Sequence, residues 1–202
     1  MTNIDHQFDA RTTGLVIFDM LEIYRAPIEA AGTLPNVLML LEHWRQHDAP
    51  VFFARADHRK DGADLAATIS DVDINHKPFG PDNPIRTKPK VGSGEPGLAV
   101  LAELAPRDSE YDIPKHRWSA FFGTHLELSL RRRGVDTIVL VGGSTHVGIA
   151  ATMYAARDMD FQVLVASDGC HGREPQRSFF MEEIFPRACR VRTTAEVIAA
   201  VT

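Results

Sequence analysis

The chain has 202 residues, of which 44% are hydrophobic, and a formal net charge of −5 at neutral pH. That length and apolar content match one α/β domain, residues 1–202, with a full core. The acidic balance excludes the basic face of a nucleic-acid binder, and no basic run exceeds Arg131-Arg132-Arg133. No apolar run approaches the length that crosses a membrane, and residues 1–13 lack the apolar core of a signal peptide. The two cysteines, Cys170 and Cys189, give neither a disulfide framework nor paired metal-ligand spacing, so a reduced cytoplasmic location is expected.

The chain alternates strand and helix signals. Gly14-Leu15-Val16-Ile17-Phe18 is a continuous apolar run of the buried-strand kind, ending at Asp19. Thr33 is placed to cap a helix over residues 34–47, with Pro35 in its first turn and Leu34, Leu38, Leu41 and Trp44 on one face. Residues 50–55 form a second strand. Residues 57–94 are rich in Pro, Gly, Asp and Lys, and a loop of that length in a compact domain is expected to be a lid or part of a site.

Further along, residues 96–104 read as a short helix and residues 111–115 as a strand end. Thr124 and Glu127 have capping-box spacing for a helix ending at Arg133-Gly134, so the arginine triplet lies at that helix's C-terminal turn. A strand over residues 137–141 enters a Gly-rich turn and a helix over about residues 146–160. Residues 162–166 form a strand, 174–185 a helix and 190–192 a last strand, and the Thr193/Glu196 pair caps a final helix. Such alternation predicts a parallel sheet covered by helices on both faces, with the site beyond the C-terminal strand ends. Asp19, Lys115 and the turn Gly142–Gly148 all fall at such ends.

Each candidate also has a plainer role. Asp19 either caps the next turn or, desolvated at the edge of an apolar core, serves as a general acid or base. Lys115 is either a solvated stem among aromatics or the partner of Asp19; its charge would lower the Asp pKa while burial raises it. His146 either lines a pocket or caps the helix start. Cys170 reads as a small buried thiol, with a relocated nucleophile as the alternative, and Cys189 as structural. Gly142-Gly143 has neither dinucleotide nor P-loop spacing.

The block Lys115-His116-Arg117-Trp118-Ser119-Ala120-Phe121-Phe122 resembles a recurrent motif of the isochorismatase-like hydrolase superfamily. So does the run from Val139 to Val147, a hydrophobic strand followed by Gly-x-Ser-Thr-x-Val. With Asp19-Met20 and Ala166-Ser167-Asp168-Gly169-Cys170, the resemblance covers roughly residues 14–201. It implies a three-layer, Rossmann-like open parallel sheet of six strands, a homodimer or homotetramer, a small-molecule substrate and no cofactor. It also implies a cis peptide at Gly143–Ser144. The chain departs from the family at Leu21, where Gln is common, and at Gly148, where most members carry a nucleophilic Cys.

Members with Gly at that position include true isochorismatases and the related enzyme of phenazine biosynthesis, which shares His-Val-Gly with His146-Val147-Gly148. They cleave a vinyl ether by protonating it, so no nucleophile is needed. The resemblance then implies Asp19 as general acid, Lys115 as a positioning charge, and Gly148 as space for ligand or water. Tyr24, Trp118, Phe122, Gly143, Ser144, Thr145 and His146 are the expected substrate contacts. Nicotinamidases of the family hold a metal with an Asp and two His near residues 57–64. Here Asp57, His58, Asp61 and Asp64 offer one His, so a polar loop without metal is expected. A non-catalytic binding member and an amidase using water activated by Asp19 are the alternatives.

Overall fold

Successive residues of β1 (Thr13–Phe18) point to opposite faces, and every one of them is buried, so the strand must be covered on both sides. The computed structural model describes residues 7–202 and shows how this is done. The first six residues, part of the N-terminal stretch read above as lacking a signal-peptide core, lie outside the described residues. After β1 come α1 (Arg25–Ala31), α2 (Leu34–Gln46), β2 (Val51–Ala56), β3 (Tyr111–Lys115), α3 (Leu126–Arg132) and β4 (Thr137–Gly143). They are followed by α4 (Ala150–Asp158), β5 (Gln162–His171), α5 (Gln176–Phe179), β6 (Arg190–Arg192) and α6 (Thr194–Ala200).

The strands form one six-stranded sheet in the order β3-β2-β1-β4-β5-β6. All pairings are parallel. On one face, Leu15, Ile17, Val51, Phe53, Val139 and Val141 pack against Ile28 of α1, Leu40 and Trp44 of α2, and Val197 of α6. On the other, Val16, Phe18, Phe52, Ala54, Ile138 and Leu140 pack against Leu126 and Leu130 of α3 and Met153 of α4. The chain order reverses between β1 and β4, and the clefts of such sheets open at that point. Among the described residues no helix is long and apolar enough to cross a membrane.

Several local expectations change. Thr33 does not cap α2; its hydroxyl reaches the Ile28 carbonyl, because α1, unforeseen in the sequence, ends just before it at Gly32. The buried face of α2 is Val37, Leu40, Leu41 and Trp44, with Leu34 and Leu38 at its margin. The expected helix at 96–104 is two short 3-10 turns, since its backbone pairs with residues 20–22 instead: Leu101 N–H donates to Met20 O at 2.9 Å and Glu22 N–H to Ala99 O at 3.0 Å. Thr124 and Glu127 form no capping box, because α3 starts one residue late and Thr124 Oγ1 accepts from Leu126 N–H. The Thr193/Glu196 box forms as expected.

The strand expected at 162–166 runs on to His171. After Val165 pairs with Leu140, residues 166–169 bulge, and pairing resumes between Cys170 and Gly142. Neighbouring elements hold the bulge: Asn36 donates to Asp168 O, and Asp168 Oδ1 accepts from both Thr194 N–H and its hydroxyl. The helix expected at 174–185 is α5 continued by a π turn and a 3-10 turn to Arg187.

Trp44 ties α2 to the sheet: it is fully buried, and its Nε1–H donates to Thr13 O at 2.8 Å. Trp44→Ala should lower the unfolding free energy by about 3–5 kcal/mol in urea titrations, with the m-value unchanged.

Candidate active site

Asp19 follows β1 directly and adopts φ 50, a left-handed conformation that Asp tolerates better than most residues. Its own N–H donates to Ala54 O at 2.8 Å, so the strand register still fixes it after pairing ends. Its carboxylate turns toward β2 and β3. Oδ1 accepts from Ala56 N–H at 2.6 Å, and Oδ2 from the Lys115 ammonium at 2.7 Å. Lys115 closes β3 and is 4% exposed. Its Nζ stands 4.2 Å from the centre of the Phe18 ring, a cation–π arrangement. Burial pushes the Asp19 carboxyl above its ordinary value, while Lys115 and the Ala56 N–H oppose that rise. The pair expected from the sequence is therefore formed, and burial is the larger influence on the acid.

The turn after β4 supplies the opposite wall. Gly142 has φ 103, and a Cβ there would stand 2.1 Å from Phe18 O, so only glycine fits. The Gly143–Ser144 peptide is cis. Ser144 accepts from Val147 N–H and Ile149 N–H, which makes Thr145–Ile149 a π turn ahead of α4 in place of the regular helix start expected at His146. The Thr145 hydroxyl is buried and donates to His171 O at 2.8 Å. His146 lies beside His76 and Phe180, its buried Nδ1 has no hydrogen-bond partner among the described residues, and burial lowers its pKa. Gly148 does not border free space as expected: a Cβ there would fall 2.2 Å from Phe18 Cε1.

Of the expected apolar contacts, Tyr24 has its phenol pKa raised chiefly by burial and further by the nearby Asp19, while Arg86 opposes that rise. Trp118 and Phe122 are each 67% exposed, forming apolar surface after β3 instead of a buried lining. The 57–94 segment reaches across the strand ends. Ser93 N–H donates to His58 O at 2.7 Å, Arg173 contacts Asn75 O, and His76 faces His146.

That segment is also more than a polar loop. His58, Asp64 and His116 each offer a ligand atom, all within 4.8 Å of one another, so the three could hold a divalent cation. The second imidazole comes from the residue after Lys115, a distance in sequence that spacing alone did not reveal. Asp64 already accepts from Arg59 N–H at 3.0 and 3.2 Å.

Three participants escaped the sequence argument: Phe18, the Ala56 N–H and His171. Phe18 counted only as strand core, a backbone donor leaves no sequence signal, and His171 lay beyond the strand as drawn. His171 is 7% exposed and its Nδ1 has no hydrogen-bond partner among the described residues. Cys170 is fully buried beneath the turn, its Sγ–H directed at Leu140 O at 3.7 Å, and burial pushes both cysteine thiols up to about 12.

An isochorismatase domain model matches residues 13–196. The uncharacterized isochorismatase family protein YecD of Escherichia coli O157:H7 is 33% identical over 199 residues, covering 96% of this chain and 98% of the relative. The ureidoacrylate amidohydrolase RutB of Rhizobium rhizogenes is 25% identical over 151 residues, covering 72% of this chain and 60% of the relative. Among solved structures, an isochorismatase family protein from Burkholderia thailandensis superposes with a TM-score of 0.79 at 26% identity, covering 96% of this chain and 98% of that one.

Burial lowers the His171 pKa from 6.5 to about 4. The folded state thus resists protonation that the unfolded state accepts. Stability contributed by neutral His171 is fully present above pH 6.5 and falls as pH drops toward 4, by on the order of 3 kcal/mol in total. Unfolding titrations across that range should show a shallower pH slope for His171→Gln than for the parent protein.

Proposed function

The chain belongs to the isochorismatase family, a family of hydrolases, and from that premise we propose that it hydrolyses a small carboxylated substrate without a cysteine nucleophile. The observation that carries this reading is the buried Asp19–Lys115 pair standing beside a glycine at position 148. Both cysteines support it by their chemistry: thiols pushed up to about 12 remain protonated at neutral pH and are poor nucleophiles.

Vinyl-ether hydrolysis suits these groups best. Burial favours the protonated acid, so Asp19 can deliver its proton to the terminal methylene carbon of an enolpyruvyl ether. The carbon–carbon π electrons form the new C–H bond, leaving an oxocarbenium centre. The carboxylate left on Asp19 is stabilised at once by Lys115 Nζ and the Ala56 N–H, donors already in place before the proton leaves. Water then adds to the cationic carbon, and the hemiketal collapses to pyruvate and the free alcohol, returning one proton. Lys115 and the nearby Arg86 supply positive charge for substrate carboxylates. Tyr24, Trp118 and Phe122 form the rim, and the turn from Gly143 to His146 lies against the bound ligand.

Amide hydrolysis by water activated on ionised Asp19 is the second reading, favoured by the likeness to an amidohydrolase. A homodimer or homotetramer in the cytoplasm completes the proposal. Sedimentation at the mass of two or four chains supports that assembly, and a single-chain mass removes it.

The mechanism is tested by pyruvate release from isochorismate and its amino analogue. Asp19→Asn should reduce turnover by about 10²–10⁴-fold, because an amide cannot deliver the proton. Lys115→Ala should also be severe, whereas Cys170→Ser should remain active. Activity lost only in Cys170→Ser would make Cys170 the nucleophile, and full activity in both Asp19→Asn and Cys170→Ser would remove Asp19 from the chemistry.

A further inference from the structure

We infer that Phe18 is the structural counterpart of Gly148: one aromatic ring fills the volume that any side chain at position 148 would need, and its face seats the Lys115 ammonium against Asp19. Phe18 thereby acts as a positioning residue, a role that rests on Asp19 and Lys115 being the reacting pair.

Three separate contacts meet on this residue, two of them on its ring. A Cβ at position 148 would lie 2.2 Å from Phe18 Cε1, 2.5 Å from Cζ and 3.1 Å from Cδ1. Carbon atoms pack at roughly 3.5–4.0 Å, so the overlap involves a whole edge of the ring and not one flexible tip. The ring has little freedom to withdraw, since Phe18 is 1% exposed and belongs to the core formed by Val16, Leu140 and Ile149. Its backbone is held as well, because Gly142 approaches Phe18 O so closely that a Cβ there would also collide. The face of the ring, meanwhile, lies 4.2 Å from Lys115 Nζ, which is in turn 2.7 Å from Asp19 Oδ2.

The ends of β1 and β3 and the turn after β4 are therefore interlocked through one side chain. An aromatic residue at 18 and a side chain at 148 exclude each other. The absence of a thiol at 148 is accordingly fixed from the neighbouring strand, and a residue could be admitted there only with a smaller side chain at 18. Lys115, reaching in from β3, would have a carboxylate but no apolar seat without the ring. Its ammonium would then sample more than the single position beside Asp19 Oδ2.

A thermal-unfolding cycle tests the steric half. Gly148→Ala should lower Tm by roughly 3–10 °C in the parent chain. In a Phe18→Val background, where the three overlapping ring atoms are gone, the same substitution should leave Tm unchanged or raise it. If Phe18→Val does not fold, Phe18→Leu, which lacks Cε1 and Cζ, serves in the same cycle. An equal loss in both backgrounds overturns the pairing.

The electrostatic half is read by NMR on the folded parent protein. The Lys115 ε-methylene signals should lie upfield of those of the other lysines through the ring current, and should return to their range in Phe18→Leu. Lys115 signals within the range of surface lysines in the parent chain overturn this half. Neither measurement uses turnover. Failure here leaves the hydrolase reading standing, and failure of the Asp19→Asn test leaves this packing intact.

Discussion

A carboxyl group and an ammonium held out of water beside an apolar sheet constrain the rest of the site. Removing one member of such a buried pair costs about 3–5 kcal/mol. The fold meets this demand with contacts drawn from consecutive sheet positions. β1 brings the carboxylate, β2 the Ala56 N–H and β3 the ammonium, so three adjacent strands of the sheet supply one cluster in which both donors converge on Asp19. The left-handed turn at Asp19 then aims the carboxylate sideways along the strand ends. A continuing strand would have carried it over the sheet.

Across the reversal of strand order the character of the site changes. The ends of β1, β2 and β3 carry charge, whereas the ends of β4 and β5 carry imidazoles whose pKa values burial lowers, His146 and His171. Their buried Nδ1 atoms have no hydrogen-bond partner among the described residues. Such a division suits a reaction in which a proton leaves one wall while neutral groups face the rest of the ligand. The bulge in β5 contributes by returning Cys170 and His171 to register with Gly142 and Gly143 after four residues, 166–169, without partners on β4. Cys170 occupies that junction as a small apolar filler with its thiol directed at a strand carbonyl, consistent with packing.

The long segment between β2 and β3 draws its meaning from this arrangement. It has little regular structure, yet its two ends are joined where Ser93 N–H donates to His58 O, and it touches the far wall through Asn75 and His76. Its His58 and Asp64, with His116, form a group of three metal-capable side chains.

By itself the sequence determined the periodic part of this protein. Unbroken apolar runs before Asp19 and Gly142 can satisfy both their faces only in the middle of a covered parallel sheet, so β1, β4 and the site beyond their ends were legible. The spacing of Thr193 and Glu196 likewise sufficed for a local cap, because both partners lie within one helical turn. What depended on distant backbone was not legible. Residues 96–104 have helical composition, but pairing with residues 20–22 won over local propensity. Thr33 has a capping side chain, but an unforeseen helix ends against it. The space at Gly148 was readable only as an absent side chain; that Phe18 fills it depends on how β1 packs beside the turn after β4. His116 joins His58 only because parallel pairing aligns the ends of β2 and β3. Local hydrogen bonds and periodic burial are encoded over a few residues, whereas close packing and desolvation are properties of neighbours that the chain brings together only by folding.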